Sequence, residues 1–315
     1  MKSPLISVAV CTYQGEKFLK EQLDSLISQT YHPFEIVIHD DHSNDGTWEI
    51  IELYQSKFPN LIRTHRNRTR LGIKTNFQLA FNDCKGELIA PCDQDDLWHP
   101  KKLELMSTRI KNHLLIYHDS ELIDASGNRL GTKISDKFRF IKGSDPTPFL
   151  LFNCVSGHSM LFHQSLLKDA LPFPQVGYHD HWLVYMAAEK GSIDYMEESL
   201  VFFRQHDRNA SGYGKRRKYK NRFTGAKNRM VRENLWLQAC SELPKRKSSN
   251  SLESRIFDLA YSREKSYVVP KLGWTIWKNR KRLFAMFPYK LLKHLAMSFR
   301  YSWGLKIKKL IYLSA

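Results

Sequence analysis

The densest chemistry in this 315-residue chain lies in two short acidic runs. Cys92-Asp93-Gln94-Asp95-Asp96 sets three carboxylates within four residues, directly behind the apolar run ELIAP (87–91). Like charges this close disfavour one another's ionisation unless a cation sits among them. Ligand sets made only of oxygen suit magnesium or manganese, which share coordination with the phosphates of a substrate. A helix N-terminus enriched in Asp has the same local pattern. The second run, Asp40-Asp41-His42-Ser43-Asn44-Asp45-Gly46-Thr47, also follows an apolar segment and opens a helix. Capping and turn formation account for one or two of these residues, but not for a carboxylate doublet at a strand end. Further along, Asp180 stands between His179 and His181 ahead of Trp182, Leu183, Tyr185 and Met186. It reads either as a helix cap or as a general base. Beyond it, His206 lies in Arg204-Gln205-His206-Asp207-Arg208-Asn209, where its plain reading is a surface histidine.

These residues must be positioned by the elements around them. LISVAVCT (5–12) is a β-branched apolar run, which predicts a buried parallel strand. Phe18, Leu19, Leu23, Leu26 and Ile27 then recur with helical spacing. FEIVIH (34–39) predicts a second strand, followed by a helix through Trp48, Ile51 and Tyr54. A short strand over 61–64 and a helix over 75–83 make a third cycle, and 87–91 predicts a fourth strand. A helix is expected over 97–112, a strand over 114–118, and a further extension of the domain over 155–162. Strands alternating with helices imply crossover connections and a mostly parallel central sheet flanked by helices. Such sheets bind ligands beyond the carboxyl ends of their strands, where both acidic runs fall.

Composition narrows the class. Five cysteines without a C-x-x-C pair give no disulfide framework and no zinc knuckle, so a reducing, cytoplasmic setting is expected. The N-terminal apolar run is too short for a signal peptide, and polar residues interrupt the uncharged stretch 146–167. Charge is divided unevenly: residues 1–203 hold 21 Lys and Arg against 26 Asp and Glu, whereas residues 204–315 hold 28 against 6. The run KRRKYK (215–220) marks a boundary, beyond which the chain is basic and helical in pattern.

The stretches SVAVCTYQG, Gln29-Thr30-Tyr31, EIVIHDDHSNDGT, LGIKTNF and GELIAPCDQDDLW, in this order, resemble family 2 glycosyltransferases of the GT-A fold. Later motifs extend the resemblance to about Gly212. It implies a Rossmann-like α/β catalytic domain over 1–212 and a basic, mainly helical region over 213–315. It also implies inverting transfer from a nucleotide-sugar donor to a saccharide or lipid-linked acceptor, with Mn or Mg as cofactor. Thr12, Tyr13 and Asp41 would line the nucleotide pocket, with Asp93 at the donor and Lys74 near its phosphates. Asp95, with Asp93 and Asp96 beside it, would hold the cation, to which His206 is a further candidate. Asp180 matches the base; Gly157 and His158, with Trp182, match the acceptor side. The later motifs most resemble bacterial rhamnosyltransferases of surface-polysaccharide synthesis, implying dTDP-rhamnose. A nucleotide-sugar-binding protein without turnover is the alternative, since only an enzyme needs the base.

In the C-terminal region aromatic and aliphatic residues alternate with cations: Trp274, Ile276 and Trp277, then Arg280, Lys281 and Arg282, then Leu283, Phe284 and Phe287. Leu291, Leu292, Leu295, Ala296 and Phe299 share one helical face. That pattern fits a helix in the interface of an anionic membrane, at the inner face of the cell membrane. It also fits an amphipathic helix packed on the catalytic domain. Nucleic-acid binding is not expected, because no recognition motif accompanies the basic residues.

Overall fold

The computed structural model describes residues 3–207, 209, 222–243 and 251–313. The expected domain end at Gly212 and the basic run 215–220 lie outside the described residues. Chain contacts divide the protein into two compact units. The first comprises 1–146, 154–173 and 178–209; the second comprises 147–153, 174–177 and 210–315.

The first unit is built on one mixed sheet. Its strands are β1 (Ile6–Thr12), β2 (Phe34–Asp40), β3 (Ile62–Arg66), β4 (Leu88–Cys92), β5 (Leu97–Trp98), β6 (Leu115–Ile123), β7 (Arg129–Lys133), β8 (Met160–His163) and β9 (Ile193–Arg204). The order is β3-β2-β1-β4-β8-β6-β9-β5, with β7 on β6. The first four strands are parallel, as strand and helix alternation predicts. Beyond β4 the sheet is mixed: β8 runs antiparallel to β4 and β6, β9 is parallel to β6, and β5 is antiparallel to β9.

The helices are α1 (Glu16–Ile27), α2 (Thr47–Lys57), α3 (Ile73–Asp83), α4 (Lys102–Ile110), α5 (Leu167–Ala170) and α6 (His179–Lys190). Every residue of β1 is buried. Because side chains alternate across a strand, Ile6, Val8 and Val10 enter one core with Leu19, Leu23, Leu26, Ile51, Leu103 and Met106. α3 packs on β1 and β2. α6 is buried around nearly its whole circumference from Trp182 to Glu189, so it shows no polar face.

The helix expected over 97–112 begins only at Lys102. Leu97 and Trp98 instead pair with Phe202 and Val201 of β9. Pro100 explains the break, since it disfavours helical geometry at the residue before it.

The second unit is helical: α7 (Arg222–Ser241), α8 (Leu252–Tyr261), α9 (Pro270–Lys278), α10 (Arg280–Leu283), α11 (Leu291–Tyr301) and α12 (Leu305–Leu313). Buried Arg263 ties it together, donating to the Tyr301 and Ala260 carbonyls and to Asn234, with Glu233 Oε2 at 3.3 Å. Trp236 Nε1 donates to the Leu150 carbonyl at 2.9 Å, anchoring the 147–153 segment in this unit.

Candidate active site at the strand ends

The loops that leave β1, β2 and β4 are tied to one another by side chains. At the end of β1, Thr12 is buried and its hydroxyl donates to Asp40 Oδ1 at 2.8 Å. The Gln94 side chain bridges the next residue: it accepts from Tyr13 N–H at 2.8 Å and donates to the Tyr13 carbonyl at 3.0 Å. Gly15 keeps this approach open: a Cβ there would come within 2.4 Å of Gln94 Oε1 and displace the bridging side chain. Tyr13 is half-buried, with the Arg70 guanidinium 4.0 Å from its ring centre.

Asp41 is buried and organises the loop before α3. Its Oδ1 accepts from Leu71 N–H at 2.7 Å and Asn67 Nδ2 at 3.1 Å, and its Oδ2 accepts from Gly72 N–H at 2.8 Å. Gly72 has φ +88°, which favours glycine. Lys74 stands half-buried in the first turn of α3, where partial burial lowers its pKa.

The acidic run after β4 splits into two directions. Asp93 and Asp96 face His158, whose Nδ1 lies 3.6 Å from Asp93 Oδ2 and 3.2 Å from Asp96 Oδ2. One ligand atom from each of the three lies within 4.8 Å of the others. Asp95 instead meets His206, with Nε2 and Oδ2 2.8 Å apart. Asp96 is fully buried; burial first, then the charges of Asp95 and Asp93, push its carboxyl well above the usual range. Burial acts the same way on Asp93, but the hydrogen bond and charge of His158 outweigh it and hold that carboxyl low. Two neighbouring carboxylates driven apart in this way do not ionise together readily without a cation beside them.

The charge of Lys102 acts on both carboxylates, and Arg204 fastens the loop that carries them. Arg204, the last residue of β9, is buried: its backbone N–H donates to Asp96 Oδ1 at 3.0 Å and its Nε to the Asp95 carbonyl at 2.9 Å. Its other nitrogens reach the Ala125 carbonyl and Glu21. Lys102, also buried, donates to the His158 carbonyl at 2.6 Å, and burial pushes its pKa down to about 7.

Asp180 opens α6, half-buried, and accepts from His181 N–H at 2.6 Å. Burial pushes its carboxyl up to about 7, with Asp93 adding to the effect. Gly157 abuts it: a Cβ there would lie 3.0 Å from His179 Nε2 and 3.9 Å from Asp180 Cβ. His179 is buried against Phe77, with ring centres 4.0 Å apart, and burial holds it neutral with a pKa of about 4.

Two sequence expectations are relocated. His158, expected on the acceptor side, belongs to the acidic cluster, where it is buried beside Asp93 and Asp96 and bonds Ser120 Oγ at 3.0 Å. Trp182, expected there as well, is in the core. Its indole N–H donates to the Ala170 carbonyl at 2.9 Å, and it is only 6% exposed. Sequence reasoning reaches Arg204 only as part of the histidine's motif and does not reach Lys102, the second of two lysines at the start of α4.

Residues 7–171, more than half of the chain, match the sequence profile described as glycosyl transferase family 2. The chain belongs to this family. An uncharacterised protein of Mycobacterium tuberculosis is 28% identical over 221 residues, which is 68% of this chain and 63% of that protein. An uncharacterised glycosyltransferase of Methanocaldococcus jannaschii is 29% identical over 213 residues, 65% of this chain and 72% of its own length. The match thus spans just under two thirds of the mycobacterial relative. Among solved structures, S. aureus TarS in complex with UDP-GlcNAc superposes with a TM-score of 0.61 at 18% identity, covering 98% of this chain and 90% of that one. The mannosyltransferase PcManGT from Pyrobaculum calidifontis, in complex with GDP-Man and Mn2+, gives 0.52 at 16% identity, covering 99% and 88%. The fold of this family 2 chain is therefore GT-A-like, with a helical C-terminal region.

Proposed function

We propose that the chain is an inverting glycosyltransferase that uses a nucleotide-sugar donor and a divalent cation. The observation that carries this reading is the gathering of Asp93, Asp95, Asp96, His158 and His206 at the end of β4, within a family 2 fold. Asp96 Oδ2 is buried without a hydrogen-bond partner among the described residues, with His158 Nδ1 3.2 Å away and the carboxylates of Asp93 and Asp95 in the same run. This donor set fits Mn or Mg. Asp93, Asp96 and His158, already grouped, would hold the ion, with Asp95 and His206 completing its ligand set from the other side of the loop. Bound there, a divalent cation supplies charge neutralisation for a departing diphosphate.

Thr12, Tyr13 and Asp41 would seat the nucleotide, with Lys74 toward its phosphates. Asp180 takes the proton of the acceptor hydroxyl as that oxygen bonds to the anomeric carbon. The bond from that carbon to the diphosphate oxygen breaks, and the nucleoside diphosphate leaves. With a single carboxylate as base and no covalent sugar intermediate, the configuration inverts. The raised pKa of Asp180 suits this role near neutral pH. Gly157 beside it supports an acceptor-side position for that turn.

The motif resemblance supports dTDP-rhamnose as donor and a growing polysaccharide or lipid-linked saccharide as acceptor. The catalytic region would cover 1–212. The basic region 213–315 would hold the enzyme peripherally at the inner face of the cell membrane. A panel of nucleotide sugars, screened with manganese for thermal stabilisation and nucleoside diphosphate release, tests the reading. Stabilisation and release by at least one donor are expected. Neither effect with any donor would overturn it.

A further inference from the structure

In the second unit, α11 is built inside out. Its buried positions are His294 and Ser298, followed by Ser302 just past its end. Its outward stripe is Leu292, Ala296 and Phe299, continued by Trp303 at the same helical spacing. Leu292 is 79% exposed, Trp303 43% and Phe299 38%, whereas Ser298 is fully buried. Soluble helices place their faces the other way round. α9 packs against this helix: a Cβ at Gly273 would lie 3.2 Å from Phe299 and 3.3 Å from Ser302. α9 carries Trp274, 51% exposed, between exposed Lys271 and Lys278.

The segment of sequence that carries this stripe has charge of one sign. From Lys265 to the end of the sequence there are 12 Lys and Arg and no Asp or Glu. Lys290, Lys293 and Arg300 are exposed beside the stripe on α11, and Lys306 on α12. A second copy docking face to face would set these cations against their own kind. No helix among the described residues is long and apolar enough to cross a membrane. An apolar stripe bordered by cations therefore matches a surface that is apolar beneath and anionic on top.

We propose that α11 is the lipid-contacting element of the chain. Leu292, Phe299 and Trp303 enter the headgroup boundary of an anionic bilayer, Trp274 enters beside them, and Lys271, Lys278, Lys290, Lys293 and Arg300 engage the headgroups. This deepens the peripheral-membrane part of the proposed function and assigns it to named residues.

The test is co-sedimentation of the whole chain with vesicles of phosphatidylcholine, with or without phosphatidylglycerol. Binding is expected only with the anionic lipid, and should fall steeply as salt is raised. Replacing exposed apolar residues with charge, in L292E/F299E, should lower the partition coefficient about a hundredfold. K278Q/K293Q should lower it about tenfold. Trp303 should shift its emission to the blue on binding, read as the difference between wild type and W303F. Equal binding to both vesicle types would overturn the proposal, as would wild-type binding by L292E/F299E. So would sedimentation-velocity evidence that these substitutions merely disperse a dimer. Donor turnover by the same variants without vesicles keeps this separate from catalysis: turnover retained with binding lost supports the assignment, and binding without turnover faults only the enzymatic reading.

Discussion

Replacing Arg204 with Leu removes the cation that laces the acidic loop to β9. The guanidinium is 1% exposed and donates to the carbonyls of Asp95 at 2.9 Å and Ala125 at 3.2 Å, and to Glu21 at 2.6 Å. Glu21 is 58% exposed at its side chain and regains water, so its loss adds little. The two carbonyls lose their donor in a part-buried setting, at about 1–3 kcal/mol each. Packing against Phe18, 4.8 Å from the guanidinium carbon, goes as well. Together these come to about 3–5 kcal/mol, which for a unit of this size lowers the melting temperature by about 10 °C. Lys at this position supplies one point charge in place of a planar fork and should recover less than half of the loss. Differential scanning calorimetry of the wild type, R204L and R204K measures it. The backbone bond from residue 204 to Asp96 survives both changes, so the fold is expected to persist while manganese binds more weakly through a loosened Asp95. An R204L protein that melts within about 2 °C of wild type would refute the argument that these bonds are energetically coupled to the site.

The Asp180 carboxyl, pushed up to about 7, is about one-tenth ionised at pH 6 and nine-tenths at pH 8. Initial rates of transfer should therefore rise about tenfold over that range, and D180N should lose about 10²–10⁴-fold in kcat while binding donor normally. A flat profile, or D180N at the wild-type rate, removes Asp180 as base. The same shift has a stability sign: the folded pKa exceeds the unfolded value of 3.8, so folding favours the protonated form and this group's contribution declines as pH climbs from about 4 to about 7. Urea midpoints at the two ends of that window should show the decline shrink in D180N. Gly157→Ala places a methyl 3.0 Å from His179 Nε2 and should lower kcat by about tenfold or more with donor affinity kept; isothermal titration beside rate measurement separates the two. Gly304→Ala drives a Cβ to 2.0 Å from the Ser266 carbonyl oxygen. It should unfold the helical unit before the sheet unit, which limited proteolysis followed by mass spectrometry would detect.

The residues that open the strand ends were readable because they follow the period of their own segments. Ile6, Val8 and Val10 are apolar in sequence and buried in the structure, and the carboxylates come where those strands stop. What escaped reading depends on pairing between distant segments. His158 meets Asp93 only because the turn ahead of β8, which pairs antiparallel with β4, delivers it there, and no local pattern announces an antiparallel strand inside a parallel sheet. Arg204 lies in a motif that drew attention to its histidine, yet its own burial follows from β9 running beside β6 and meeting β5. The break at Pro100 carried a signal that helical periodicity over 102–110 masked. For α11, periodicity defines two faces without saying which is covered; the structure covers His294 and Ser298 and leaves Leu292 outside.

The central claim, a cation-assisted transfer from a sugar nucleotide at the acidic cluster, is tested most directly by nucleoside diphosphate release measured with and without manganese, in the wild type and in D95A. The account predicts release that requires the ion in the wild type and falls at least about a hundredfold in D95A. Ion-independent release, unchanged in D95A, would contradict it.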